Sequence, residues 1–156
     1  MPGKYIGGLI VLISLIFGAV VYWTQEYAYY TPVAADAAEV TLVNVATGAP
    51  EPMAISGFEG TDSDSSPIRY RACFHAEQSL ATLTETFQIY DDPTPLIAPR
   101  WFDCFDANAI GEALENGEAV GFLSQKDIHD GVDRVVAVFP DGRAFAWNQL
   151  NDTYQD

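Results

Sequence analysis

Positive charge is scarce in this chain: seven Lys and Arg residues stand against 22 Asp and Glu among 156 residues. From Gln25 onward six basic residues face all 22 acids, a formal charge of −16, and binding a phosphate backbone needs clustered cations. Nucleic acid is therefore excluded as a partner. The same field would repel an anionic membrane surface and attract a basic partner, although solubility alone also accounts for it. Cysteine and histidine number two each. No Cys-x-x-Cys occurs, so neither a thioredoxin-like redox motif nor a paired-cysteine zinc site is written here. No Gly-x-Ser-x-Gly elbow and no Gly-rich phosphate loop occur, which removes the usual signatures of a serine hydrolase and of a nucleotide site. The acidic run Asp62-Ser63-Asp64-Ser65-Ser66 begins like a calcium loop but puts Pro67 where Gly is needed and Cys73 where Glu is needed. The expectation is a protein without catalytic residues, bound metal or cofactor.

What the chain does have is one long apolar run, Ile6 to Trp23, without a charged residue between Lys4 and Glu26. As a helix it spans roughly 27 Å, enough to cross a thin bilayer once. Leu, Ile, Val and Phe fill most of it, and each favours insertion by about 0.3 to 0.6 kcal/mol. A cleaved secretory signal is the competing reading, with Ala35-Asp36-Ala37 as a small-residue cleavage site. Against it stand the length of the run and the aromatic cluster Tyr22, Trp23, Tyr27, Tyr29 and Tyr30, which suits an interfacial belt. No Cys follows the run closely enough for lipoprotein attachment. Lys4 precedes the run and no Lys or Arg follows until Arg69, so the amino end is expected in the cytoplasm and the remainder outside it. Gly7, Ser14 and Gly18 fall near one helical face, where small residues would let another membrane helix approach; glycine is also simply common in such helices.

About 130 residues beyond the anchor suffice for one compact domain. Residues 1–30 read as a transmembrane anchor, 31–38 as a linker, 39–150 as the domain and 151–156 as a polar tail. In an oxidising compartment Cys73 and Cys104 are expected to form a disulfide, closing a loop of about thirty residues.

Alternation predicts strands over Glu39 to Val45 and Ile68 to Phe74, the second placing Arg69, Arg71, Cys73 and His75 on one face. Ala46 to Pro67 reads as loop with a short strand around Met53 to Phe58. Ser79 to Tyr90 fits a helix through Leu80, Leu83 and Phe87, and a strand through its alternating threonines. Three prolines make Asp91 to Pro99 irregular. A helix capped by Asp106 and closed at Gly117 follows, then strands over Ala119 to Leu123, Val132 to Phe139 and Arg143 to Trp147. Pro140-Asp141-Gly142 makes the last pair a hairpin. The expected class is α+β: one transmembrane helix plus a small, mainly antiparallel sheet domain with one packed helix.

Two guanidinium groups beside Cys73 and His75 form the best candidate site, able to cradle an anion or contact a partner. Pairing of those arginines with the abundant acids is the plainer reading. Cys73, His75 and Cys104 together suit copper(I) or zinc by ligand type, but their spacing is a poor match.

The segments Asp64 to Phe74, Trp101 to Ala107 and Asp133 to Val138 resemble those of a family of small, uncharacterised single-pass proteins of alphaproteobacteria. That resemblance implies a bacterial inner-membrane protein and carries over no catalytic residue. The functional expectation is a periplasmic accessory subunit or assembly factor of a larger membrane complex, with membrane lipid and an integral membrane protein as partners and no nucleotide. A thiol-redox or copper-handling envelope protein using Cys73 and Cys104 is the alternative.

Overall fold

The computed structural model describes residues 2–36 and 38–154. Two units result, residues 1–30 and 31–156.

The first unit is a helix. α1 runs from Gly3 to Trp23 and continues as a wider π turn over Thr24–Ala28, so 26 residues form one uncharged-cored, strongly apolar rod, about 39 Å long at 1.5 Å per residue. None of its side chains is buried by the rest of the chain. Its internal hydroxyls are nevertheless satisfied: Ser14 Oγ donates to the Ile10 carbonyl at 2.9 Å and Thr24 Oγ1 to the Val21 carbonyl at 2.9 Å. A polar side chain that bonds back to its own helix can be accommodated in hydrocarbon.

The second unit is built on a six-stranded antiparallel sheet. In chain order its strands are β1 (Thr31–Val33), β4 (Ile55–Asp62), β5 (Arg71–Ala76), β6 (Val120–His129), β7 (Val132–Val138) and β8 (Arg143–Leu150), and their spatial order is β1-β4-β5-β8-β7-β6. A separate pair, β2 (Thr41–Val43) and β3 (Pro50–Pro52), makes a small second sheet. Both faces of the large sheet are covered, which explains why β7 and β8 read as nearly continuous apolar runs. On one face Ala72, Phe74, Val136, Val138, Ala144 and Ala146 pack beneath Leu42 of β2, Val40 just before it, and Leu83 of α2 (Leu80–Thr86). On the other, Cys73, Val135, Ala137, Phe145 and Trp147 pack beneath Phe102, Phe105 and α3 (Ala107–Glu115).

The α+β class is as expected, with a second helix added. Ser79 to Tyr90 divides between the two expected states. Ser79 caps α2 by accepting from the Thr82 amide, and the hydroxyls of Thr84 and Thr86 donate to the Ala81 and Thr82 carbonyls, so the threonines serve the helix. Phe87 and Ile89 then bridge to Asn44 and Phe122 as isolated β pairs.

Three expectations require correction. Residues 31–38 are not all linker, because Thr31, Pro32 and Val33 pair with Asp62, Thr61 and Gly60. The segment Ala46 to Pro67 is not chiefly loop, because the eight-residue β4 runs through it; Gly57, with φ of 62°, and a register shift between Ser56 and Glu59 break the alternation that would have revealed it. The last strand does not end at Trp147 and the 151–156 tail is not all loose, because β8 continues to Leu150 and buried Asn151 donates its amide to the Gly131 carbonyl at 2.9 Å. Ala37, part of the candidate cleavage site, and residues 155–156 of the tail lie outside the described residues.

α3 is the element that conforms most closely to its sequence signals. Asp106 accepts from the amides of Asn108 and Ala109, both at 3.1 Å, and Gly117 takes the left-handed φ of 74° that ends the helix. Asp106→Ala is expected to cost about 1 kcal/mol, read as a lower urea midpoint with an unchanged slope.

Candidate functional site

The row predicted from the strand pattern is real over three of its four members, since Arg71, Cys73 and His75 lie at alternate positions of β5 while Arg69 sits in the turn before it. They do not share one environment. Arg71 is buried, and its guanidinium is enclosed by carbonyl groups: Nε donates to Leu96 at 2.8 Å, Nη2 to Ile97 at 3.1 Å, and Nη1 to Ile68 at 2.7 Å and Tyr70 at 2.6 Å. The Phe105 ring lies 5.7 Å from its central carbon. Those bonds knit the turn before β5 to the proline-rich segment 93–99. Cys73 is bonded to Cys104, with Cα atoms 6.3 Å apart, so neither sulfur is a free thiol. His75 is exposed at the far end of β5, where its ring closes against Gly142 in the β7–β8 turn. Gly142 has φ of 92°, and a side chain there would collide with that ring. Among the described residues no three His, Cys, Asp or Glu side chains converge as metal ligands would.

A second polar cluster was not foreseen. Asp133 of β7 is buried, and its carboxylate accepts three hydrogen bonds: Oδ1 from the Asp127 amide at 2.9 Å and Asn151 Nδ2 at 3.0 Å, Oδ2 from the Tyr90 hydroxyl at 3.0 Å. Asn151 Nδ2 also donates to Asp127 Oδ1 at 2.7 Å. Beside it, buried Gln149 accepts from Trp147 Nε1 at 2.9 Å and from the Thr94 amide at 2.8 Å, and donates to the Asp92 carbonyl at 3.2 Å. Asp92 and Asp127 both hold left-handed backbone, with φ of 52° and 47°. A cavity of about 240 Å³ opens here, lined by Tyr90, Asp92, Lys126, Asp133, Asn151 and Asp152 among others. The only sequence signal was that Asp133 opens one of the segments carrying the family resemblance.

Burial, followed by the bond to Asp133, pushes the Tyr90 phenol well above its ordinary value of 10.0. A group whose folded value is raised supports stability fully below its unfolded value, and that support is lost as pH rises beyond it. Unfolding is therefore expected to become easier above pH 10.0, where only the unfolded chain releases this proton. Tyr90→Phe should lower stability by about 1 kcal/mol near neutrality and flatten the alkaline decline, as measured by urea titrations across that range.

The clusters, the disulfide and both cores lie within residues 40–156, and that stretch matches a family of unknown function, DUF6446. The chain belongs to the DUF6446 family. Comparison with curated proteins and with solved structures returns no match. The DUF6446 match begins at Val40, so it takes in β2 through β8 and leaves the apolar helix and β1 outside it. Outside the match, the helix Gly3–Ala28 is long and apolar enough to cross a membrane, a property that anchors and export signals share. Gly7, Ser14 and Gly18 are all exposed on it. So are Tyr22, Trp23 and Tyr27, with Tyr22 and Tyr27 edge to face at 6.3 Å, and Tyr29 just past its end is exposed too.

Proposed function

We propose that this DUF6446 protein is a bacterial inner-membrane protein whose uncleaved helix anchors the domain on the periplasmic side. There it serves as a non-enzymatic accessory subunit or assembly factor of a larger membrane complex. The observation carrying this reading is a 26-residue apolar helix with no burial inside its own chain, followed by a domain stapled by a disulfide. An apolar surface that the chain leaves uncovered calls for lipid or another helix, and disulfides persist in oxidising compartments. Lys4 before the helix and the likeness to alphaproteobacterial single-pass proteins support the orientation and the source.

The sheet edges bear on how a partner would be met. β1 is three residues long and carries Pro32, while the outer side of β6 is occupied at Phe122 by Ile89 and broken further on by register shifts. Such edges resist strand addition, which directs attention to the helix and to the faces of the domain. Gentle detergent extraction followed by size analysis tests the reading. A species larger than the chain, carrying a copurifying membrane protein, is expected; a lone monomer contradicts it.

A thiol-redox or copper-handling role is favoured by one observation, the incomplete burial of Cys104 in its disulfide. Titration with mild dithiol reductants separates the two readings, since a structural disulfide resists them and the reduced pair of a carrier binds copper(I).

A further inference from the structure

Asparagine is followed by glycine once in this chain, at Asn116-Gly117, and the pair closes α3. Asn116 caps the helix with φ of −80° and ψ of −6°, and Gly117 then turns left with φ of 74°. Both residues are exposed. The space where a side chain at 117 would stand is empty, so nothing crowds this peptide from outside.

The five asparagines differ in what holds their carboxamides. Asn44 bonds to Glu51 and to the Ala46 amide, Asn148 to Arg134 and to the Pro67 carbonyl, and Asn151 to Asp127, Asp133 and the Thr153 amide. The carboxamides of Asn108 and Asn116 make no hydrogen bond among the described residues, and both side chains are exposed. What separates these two is the nitrogen that follows each. The Ala109 amide is taken by the Asp106 cap at 3.1 Å, and its methyl group crowds any approach to Asn108. The Gly117 amide donates to the Leu114 carbonyl at 3.3 Å, just beyond the usual range, and glycine adds no side chain.

An exposed carboxamide beside a loosely held peptide nitrogen is open to attack by that nitrogen. After hydroxide removes its proton, the Gly117 nitrogen bonds to Cγ of Asn116, and Nδ2 leaves as ammonia with a proton from water. A five-membered succinimide ring results. Water then cleaves one of the two bonds that the ring nitrogen makes to carbonyl carbon. Cleavage at Cγ gives aspartate, and cleavage at the main-chain carbon gives isoaspartate, whose backbone runs one carbon longer. Water enters, ammonia departs, and nothing is oxidised or reduced. Ring closure requires the Asn116 ψ to swing away from its helical value, and the last residue of a helix is where fraying permits it.

The position gives the product a structural consequence. The Ala113 carbonyl accepts from the amides of Glu118 at 2.8 Å and Ala119 at 3.1 Å, the bonds that turn the chain from α3 toward β6. A carboxylate at 116 would stand between Glu115 and Glu118 at the negative end of the helix dipole, and an isoaspartate would lengthen the backbone within that turn.

We propose that Asn116 is a site of spontaneous deamidation, at which the ageing protein gains one negative charge and the α3–β6 junction passes to an aspartate or isoaspartate form. The test incubates the detergent-solubilised full chain, its disulfide intact, in mildly alkaline water enriched in heavy oxygen, and follows every asparagine by peptide mass mapping. The expected result is conversion at 116 several-fold faster than at 108, with one solvent oxygen in the product and an equal amount of ammonia released. Equal rates at 116 and 108 overturn the proposal. So does a residue 116 that stays intact in the folded chain but converts in urea, which would show that the end of α3 protects it. Asn116→Gln should abolish most of the ammonia release; an unchanged release from that variant also overturns the assignment.

Discussion

Replacing both cysteines together, as Cys73→Ser with Cys104→Ser, is expected to lower stability by about 3 to 4 kcal/mol, with a fall in melting temperature on the order of 10 °C. The bond joins residues 31 apart, and the entropy of closing a loop of that length in the unfolded chain accounts for an effect of this size. Its position in the folded state adds a reason for the loss to be expressed fully. Cys73 lies in β5 within the second core, whereas Cys104 lies in the irregular segment that lays Phe102 and Phe105 over that core. Without the bond, that segment is retained by packing, by Arg71 and by the entry to α3. Urea titration of the detergent-solubilised chain measures the loss, and the reduced wild-type chain should match the double variant. An unchanged midpoint would show that the bond does not constrain the fold.

Arg71→Met is expected to cost on the order of 4 kcal/mol, the second large effect, for a different physical reason. Methionine fills much of the volume but supplies no donor, so the carbonyls of Ile68, Tyr70, Leu96 and Ile97 lose the partner that satisfies them. Each acceptor stranded away from water carries a desolvation penalty of about 1 to 3 kcal/mol, reduced where the segment relaxes toward solvent. Arg71→Lys should recover only part of the loss, because one ammonium cannot reproduce a planar fork addressing two separate stretches of chain. Arginine and disulfide secure the same segment from the same strand. Their losses should therefore be non-additive, the combined variant deviating from the sum by at least about 0.5 kcal/mol. Strict additivity would mean that the two hold independent parts of the structure.

The elements most legible in the sequence were those whose signals are local. The Asp106 cap and the Gly117 stop bracket α3 as read, and Pro140-Asp141-Gly142 closes the β7–β8 hairpin with the left-handed glycine the turn requires. The apolar helix was legible for the same reason, since one continuous run carries the whole signal. What escaped depends on partners distant in the chain. β1 is three residues following a tyrosine cluster, and only Thr61, 29 positions on, makes sense of Pro32 as part of a strand. β4 hides behind two glycines and a bulge. The end of β8 was cut short at Trp147, and Asn151 was placed in a polar tail, because Asn148, Gln149 and Asn151 are polar, yet all three are buried and bonded. Periodicity reads burial from apolarity, and it misses side chains whose burial is satisfied by hydrogen bonds.

The candidate site shows the same division. The alternation of Arg71, Cys73 and His75 was readable, as was the expectation that the two cysteines pair. That Arg71 would face main-chain carbonyls was not, since two of its four acceptors, Leu96 and Ile97, belong to a segment 25 and 26 residues away. The Tyr90, Asp133 and Asn151 cluster spans three separate stretches of chain and offered no motif. Its bonds tie the segment leaving α2 to the β6–β7 hairpin and to the chain after β8, which is a role in holding the domain together.

Anchoring by the apolar helix underlies the proposed function. The most direct test is the intact mass of the chain recovered from membranes washed in alkaline carbonate. A mass that includes residues 3–28, in the membrane pellet, with both cysteines oxidised, is the predicted result. A shortened chain beginning beyond Tyr30 and recovered in the aqueous wash would contradict the account.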